Sequence, residues 1–151
     1  MFKSRDYVFV LWGDKFEEAT ATIFVTAFRE AGLRVKVIGL TAQRMSGAHG
    51  LALVPDLTLD QALPLAANAI CVILPYSSLG IKRLRNDPRI AEFFSRANSN
   101  NARFVFGQLA DTNIEEIGIL PANPDNLLAY PDNEDLVEFA RNLSGMLSSA
   151  A

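Results

Sequence analysis

The stretch Ile70-Cys71-Val72-Ile73-Leu74-Pro75-Tyr76-Ser77-Ser78-Leu79-Gly80 decides the fold of this chain. Its first five residues are apolar and continuous rather than alternating with polar ones, which is typical of a strand covered on both faces. Such strands lie inside parallel sheets, and ligands bind beyond their carboxyl ends. Pro75 cannot donate a ladder hydrogen bond, so it ends the strand and directs Tyr76 to Ser78 towards that crevice.

Apolar runs of the same kind recur along the chain, and segments with helical spacing separate them. Further strands are predicted at Tyr7–Trp12, residues 33–40, residues 51–54, residues 103–106 and Leu127–Tyr130. Between the first two, apolar residues recur every three or four positions, and Gly32 supplies the expected C-terminal stop. A β-α-β unit of this length is parallel and right-handed. The sequence therefore predicts one α/β domain over residues 1–151, flavodoxin-like and doubly wound, with a mostly parallel sheet and helices on both faces.

Local signals mark the ends of several predicted helices. Thr58 and Gln61 have the spacing of a capping box, and Asp87-Pro88 reads as a cap followed by a first-turn proline. Asp132 is the predicted cap of a final helix whose last residues, 148–151, are expected to fray. Two more short helical segments are predicted at residues 81–85 and 112–120.

Composition limits the functions that this chain can have. Of the 151 residues, 50% are hydrophobic and 21% charged, and the formal net charge is −3. A negative balance argues against nucleic acid and anionic membranes as partners. The single cysteine allows no intramolecular disulfide, and no signal peptide is recognised before the first strand. We therefore expect a cytoplasmic protein.

Four segments together resemble one family. They are Phe16-Glu17-Glu18-Ala19-Thr20, Ala31-Gly32-Leu33-Arg34-Val35, Gly50-Leu51-Ala52-Leu53-Val54-Pro55-Asp56 with Leu59-Asp60-Gln61-Ala62, and Leu74-Pro75-Tyr76-Ser77-Ser78-Leu79-Gly80. In this order and at this spacing, they are similar to motifs of the ThiJ/PfpI superfamily, whose fold is shared with class I glutamine amidotransferases. The resemblance runs from about Tyr7 to the final helix and implies a flavodoxin-like fold.

The resemblance implies a site whose reactive positions differ from those of the family. The family's nucleophilic cysteine falls on Gln108, and the carboxylate that hydrogen-bonds it falls on Thr20. The glycine pair near the nucleophile falls on Tyr76 and Ser77, and no histidine follows. An amide has neither the nucleophilicity nor the titration of a thiolate. We therefore interpret the chain as a short member that lacks the nucleophilic cysteine.

The candidate residues of the crevice are Glu18, Thr20, Tyr76, Ser77 and Gln108. They are predicted as binding residues; no catalytic residue, metal ligand or cofactor is predicted. Glu17 and Glu18 also fit the negative charge that a first helical turn favours, although one of them is expected to face the crevice. Tyr76 either fills the crevice or lines a binding site.

The single cysteine and the single histidine have structural interpretations. Cys71 lies within the apolar strand, where a free cysteine is usually an inert core residue. His49 is interpreted as a solvated loop residue, away from any cysteine or clustered carboxylate. One histidine and one cysteine make a zinc site within the chain improbable.

Three functions compete at this stage. The favoured one is a non-catalytic module that binds a small molecule or another protein, with a homodimer implied by the family. The alternative is a hydrolase or an amidotransferase-like enzyme built on Glu18, Tyr76 or Ser77, although no histidine is in place to activate Ser77. A flavodoxin-like nucleotide binder is disfavoured because Gly13 is a lone glycine beside Asp14, whose charge repels phosphate.

Overall fold

A six-stranded parallel sheet forms the centre of the computed structural model, which describes residues 6–13, 16–40, 45–75, 87–107, 123–131 and 133–150. The strands are β1 Tyr7–Trp12, β2 Val35–Gly39, β3 Met45–Ser46, β4 Ala52–Leu53, β5 Leu57–Thr58, β6 Ala69–Leu74, β7 Arg103–Gly107 and β8 Leu127–Tyr130. The α-helices are α1 Glu18–Glu30, α2 Leu59–Ala62, α3 Pro88–Ser99 and α4 Leu136–Ala150. Short 3-10 helices occupy Leu63–Asn68, Pro124–Asn126 and Asn133–Asp135.

The order of the strands creates a switch point next to β1. The order is β5-β2-β1-β6-β7-β8, and every neighbouring pair is parallel. The chain builds outwards from β1 to β2 and β5, then crosses over to β6 and builds in the opposite direction. Open α/β sheets bind ligands outside the carboxyl ends of the strands at such a reversal. In this sheet the direction of building reverses between β1 and β6. The sequence of β6 is the apolar stretch that predicts the fold.

Helices cover both faces of the sheet, as predicted. On one face α1 packs against α4, and Phe24 contacts the rings of Phe28, Tyr130 and Phe139. On the other face α3 packs against α2 and the 3-10 helix that follows it. Right-handed crossovers in opposite directions along a sheet place their helices on opposite faces. The doubly wound, flavodoxin-like prediction is therefore confirmed.

The continuous apolar run in β6 is buried on both faces, as predicted. Cys71, Val72, Ile73 and Leu74 are all fully buried. Burial raises the pKa of the Cys71 thiol to about 12, because a thiolate would lose its hydration there. Cys71 is therefore a core residue in the thiol form.

Several predicted helix ends are confirmed by hydrogen bonds or by backbone conformation. Thr58 and Gln61 form the capping box: the Gln61 N–H donates to Thr58 Oγ1 at 3.2 Å, and the Thr58 N–H donates to Gln61 Oε1 at 3.0 Å. Asp87 caps α3 by accepting the Arg89 N–H at 3.0 Å. Gly32 has a φ of +83° and ends the turn after α1, a conformation that glycine adopts without strain.

Several boundaries differ from the sequence predictions, among them the strand predicted at residues 103–106, which is Arg103–Gly107. The predicted strand at residues 51–54 is only Ala52–Leu53, and it pairs antiparallel with Met45–Ser46 outside the main sheet. The predicted strand at residues 33–40 is Val35–Gly39, because the turn at Gly32 still occupies its first residues. The helix α4 reaches Ala150, so it continues through residues that were expected to fray.

Three other predictions fall outside the part of the chain that the structure describes. They are the helical segments at residues 81–85 and 112–120 and the cap at Asp132.

Asp56 closes part of the outer edge of β2, where β5 is only two residues long. The Val37 N–H donates to Asp56 Oδ2 at 2.8 Å, and the Asp56 N–H donates to the Val37 carbonyl at 2.9 Å. Arg29 supports the arrangement with one bond to Asp56 Oδ2 at 3.0 Å and one to the Val35 carbonyl at 3.1 Å. A side chain thus completes the hydrogen bonding that a longer β5 would otherwise supply.

Candidate functional site

The start of α1 lies at the switch point of the sheet. The chain leaves β1 at Trp12, and α1 begins at Glu18. The Glu17 N–H donates to the Pro75 carbonyl at 2.9 Å, which ties this start to the end of β6. The predicted crevice residues of the first helix are therefore held beside the stretch that decides the fold.

The Glu18 carboxylate anchors the loop of residues 47–51, which connects β3 to β4. Its Oε2 accepts the N–H of His49 at 2.8 Å and the N–H of Leu51 at 3.1 Å. Its Oε1 lies 3.1 Å from His49 Nδ1. Glu18 is only 6% exposed, so these contacts replace most of its hydration.

The hydrogen bonds keep Glu18 ionised. Burial alone would raise the pKa of this carboxyl group, but donors from Glu18's own backbone, Leu51 and His49 outweigh burial and lower the pKa to about 2. Such a group has no proton to donate near neutral pH and is a very weak base. Glu18 is therefore suited to holding a loop and not to acid–base catalysis.

Glycine is required at position 47 for this contact. A Cβ there would lie 2.4 Å from Glu18 Cδ and 2.6 Å from its Cγ. Gly50, at the other end of the turn, has a φ of +84°. The loop is also tied to the residue before the helix, because the Ala48 N–H donates to the Phe16 carbonyl at 2.8 Å. The glycines on either side of His49 were the sequence signal for this close approach.

His49 only partly matches its predicted environment. Its side chain is 85% exposed, as expected for a solvated loop histidine. The sequence analysis placed His49 away from clustered carboxylates and did not predict its contact with a single one: the Glu18 carboxylate accepts its backbone N–H and lies beside its Nδ1. The contact joins residues 31 positions apart, a separation that carries no local pattern in the sequence.

Thr20 and Glu17 form a second hydrogen-bonded pair at the start of α1. The Thr20 hydroxyl donates to Glu17 Oε2 at 3.0 Å, and Thr20 is only 4% exposed. Glu17 has an extended backbone and does not cap the helix with its own side chain. Its carboxylate therefore stands beside the helix, with Thr20 as its hydrogen-bond donor.

These groups line one cleft of about 290 Å³, called the carboxyl-edge cleft below. This volume is close to the lower end of the range for small-molecule sites, about 300–1,000 Å³. The described residues of its wall are Glu17, Glu18, Ala19, Thr20, Ile23, His49, Tyr130, Pro131 and Leu136. The wall therefore combines carboxylates, one imidazole and an apolar side.

The cleft contains two of the five candidate residues, Glu18 and Thr20. The other three, Tyr76, Ser77 and Gln108, lie outside the described residues. The sequence analysis did not place His49 or Tyr130 in the crevice. Tyr130 is the last residue of β8, so its place at the carboxyl edge followed from the strand prediction.

Two other surface cavities have similar volumes, so size does not single out the carboxyl-edge cleft. One, of about 260 Å³, is a groove between α1 and α4. The other, of about 240 Å³, lies near Asp6 and Arg103 at the amino ends of the strands. Of these three cavities, formed by described residues, the carboxyl-edge cleft is the one outside the carboxyl ends of the parallel strands, where α/β proteins bind ligands.

Within the described ranges, no three histidine, cysteine, aspartate or glutamate side chains are grouped so that they could hold a metal ion. No helix in the same ranges is both long and apolar enough to span a membrane.

The parallel order and the crossovers define a flavodoxin-like α/β protein, and the cleft is a candidate site at the carboxyl ends of its strands. The sequence matches the model of the DJ-1/PfpI family over residues 6–106, which is most of the chain. This chain belongs to the DJ-1/PfpI family, and the predicted resemblance is confirmed. The match contains Glu18, Thr20, Tyr76 and Ser77 and ends before Gln108.

Solved structures of the family share the fold. A cysteine-to-alanine mutant of a DJ-1 superfamily protein from Salmonella typhimurium has a TM-score of 0.80 at 21% identity, covering 95% of this chain and 91% of that chain. DJ-1beta from Drosophila melanogaster has a TM-score of 0.79 at 17% identity, covering 95% and 90%. A ThiJ/PfpI domain protein from Brachyspira murdochii has a TM-score of 0.74 at 16% identity, covering 99% and 100%.

At these identities the structural likeness establishes the fold and nothing about activity. No curated protein matches the chain in sequence.

Proposed function

We propose that this protein is a non-catalytic member of the DJ-1/PfpI family that binds a small molecule in the carboxyl-edge cleft. The observation that supports this function is the state of the polar groups at the cleft. Glu18 is ionised and holds the loop of residues 47–51, and the Thr20 hydroxyl donates to Glu17. These groups have structural partners already, which suits recognition better than proton transfer.

The single thiol of the chain supports the same proposal. Cys71 is fully buried in β6, and burial raises the pKa of its thiol to about 12. Nucleophilic catalysis by cysteine requires an accessible thiolate. We therefore expect Cys71 to react with an aromatic disulfide reagent far more slowly in the native protein than after denaturation. Native labelling at the rate of an exposed thiol would contradict this.

Catalysis is tested by steady-state assays with methylglyoxal and with peptide substrates. We expect no turnover above the uncatalysed rate. Turnover that the Gln108→Ala variant loses would show a working active site at the position where the family has its nucleophile. The hydrolase or amidotransferase-like alternative would then replace the present proposal.

Binding is tested independently by NMR, with isotope-labelled protein and a set of small polar and apolar molecules. Chemical-shift changes at the amides of Thr20, His49 and Tyr130 are the expected result. Changes confined to the groove between α1 and α4, with none at these three amides, would move the site away from the carboxyl-edge cleft.

The family also leads us to propose a homodimer in the cytoplasm. Light scattering during size-exclusion chromatography measures the mass of the particle in solution. A mass equal to one chain at micromolar concentration would reject the dimer without affecting the proposed cleft.

A further inference from the structure

We propose that the ligand of the carboxyl-edge cleft is a small organic ammonium ion. Its charged group would lie at Glu17, and its apolar part would pack against the side of the cleft formed by Tyr130, Leu136 and Ile23. This inference rests on the proposed binding function and adds the chemical class of the ligand.

The charge of the described wall favours a cation. It carries the carboxylates of Glu17 and Glu18, and its only other ionisable side chains are the phenol of Tyr130 and the imidazole of His49. The start of α1 contributes an opposing partial charge of about +0.5, which is smaller than the two full negative charges. Carboxylates lining a cleft with apolar walls raise the local concentration of oppositely charged ligands.

Within the part of the chain that the structure describes, Glu17 has acceptor capacity left, and Glu18 has little. An ionised carboxylate offers about four acceptor positions. Among the described residues, Glu17 accepts one side-chain hydrogen bond, from Thr20 at its Oε2. Glu18 faces three donors from His49 and Leu51. Because an ammonium group is a compact cation with three donors, Glu17 is its expected partner.

The apolar part of the described wall favours an organic ion over a metal ion. It includes Ile23, Pro131 and Leu136 and the ring of Tyr130. In the described ranges no three potential metal ligands are grouped. An ammonium ion with an apolar substituent satisfies both sides, whereas a hydrated metal ion would contact only the carboxylate side.

The test compares three ligands that share one branched apolar group: isopentylamine, isopentanol and isovalerate. At neutral pH the first is a cation, the second is neutral and the third is an anion. Dissociation constants are measured by NMR titration of the whole protein, following the amides of Thr20, His49 and Tyr130. We expect the amine to bind at least about tenfold more tightly than the alcohol, and isovalerate to bind most weakly.

Two variants test whether the preference for the amine depends on the Glu17 carboxylate. Glu17→Gln keeps the shape of the side chain and should reduce amine binding to the level of the alcohol, with alcohol binding unchanged. Glu30→Gln is the matched control, because it removes the same charge at the other end of α1, in the groove against α4. It should leave the amine preference intact.

The outcomes separate the two proposals. Equal affinities for amine and alcohol, or tightest binding of isovalerate, would overturn the ammonium inference and leave the binding function standing. An amine preference that survives Glu17→Gln would overturn it as well. If none of the three ligands perturbs the cleft, the proposed binding function fails together with the inference.

Discussion

The two adjacent glutamates at the start of α1 lie in two different regions of the molecule. Glu18 contacts the loop of residues 47–51, and Glu17 lines the carboxyl-edge cleft. Glu18 is the first helical residue and is turned into the loop of residues 47–51, where backbone N–H groups surround it. Glu17 has an extended backbone, lines the carboxyl-edge cleft and, among the described residues, accepts one side-chain hydrogen bond. Two adjacent carboxylates therefore differ: Glu18 holds a loop, and Glu17 is the one that we propose as the partner of a ligand.

Removing Glu18 should have the largest effect. In Glu18→Ala the N–H groups of His49 and Leu51 lose their acceptor, and we expect the free energy of unfolding to fall by about 2–3 kcal/mol. Glu17→Ala, one residue away, should cost about 1 kcal/mol or less, since among the described contacts of its side chain it loses the bond from Thr20. Urea denaturation measures both. Equal decreases in the free energy of unfolding for the two variants would show that the two carboxylates contribute equally to stability.

The contact between Glu18 and the loop of residues 47–51 can also be disrupted by a substitution in the loop. A methyl group at position 47 would overlap the Glu18 side chain, so Gly47→Ala should destabilise the protein by about 1–3 kcal/mol. Gly145→Ala is the control: no atom lies within 4 Å of its new methyl, and it is exposed within α4. There alanine should stabilise by about 0.5–1 kcal/mol. Thermal unfolding in which Gly47→Ala loses nothing would show that the loop moves freely away from Glu18.

The same contact predicts a dependence of stability on pH. The pKa of Glu18 is about 2 in the folded protein against an ordinary value of 4.5. Between these values the unfolded chain binds a proton that the folded chain does not, so stability falls as pH falls. The contribution is complete above the ordinary value and lost below the folded one. Acid unfolding of Glu18→Gln should therefore be shallower in this window than that of the wild type or of Glu17→Gln, and parallel curves would contradict the assignment.

The smallest effect is expected at the Thr20–Glu17 pair. Thr20→Val removes the donor and keeps the shape, and a double-mutant cycle with Glu17→Ala should give a coupling of about 1 kcal/mol or less. The measurement is again urea denaturation, of both single variants and the double variant. A coupling above about 2 kcal/mol would place Glu17 in the same structural class as Glu18.

The sequence predicted the main sheet because long apolar runs carry their own signal. The runs at Tyr7–Trp12 and Leu127–Tyr130 are strands with the predicted bounds, and the capping box at Thr58 and Gln61 has the predicted contacts. Strands of two residues have no period to detect. For this reason the sequence predicts neither the strand Leu57–Thr58 nor the strand Met45–Ser46, which pairs with Ala52–Leu53.

The site was only partly predictable for a related reason. The family resemblance implied the place of Thr20, and the start of the first helix at the carboxyl end of β1 implied that one of Glu17 and Glu18 faces the crevice. The partners of Glu18 are backbone N–H groups 31 and 33 residues away, and any residue type except proline offers such a group. The sequence therefore identified the carboxylate of this contact and not the N–H groups that it binds.

The carboxylate of Asp56 has a consequence for the behaviour of the protein at high concentration. A strand edge with free N–H and C=O groups is a template on which another chain can add a strand, the first step of edge-to-edge aggregation. At Val37 both groups are already taken by Asp56, and Arg29 takes the Val35 carbonyl. Asp56 therefore protects this edge of β2 as a longer edge strand would. Its carboxylate also places a charged group where a neighbouring chain would have to bind.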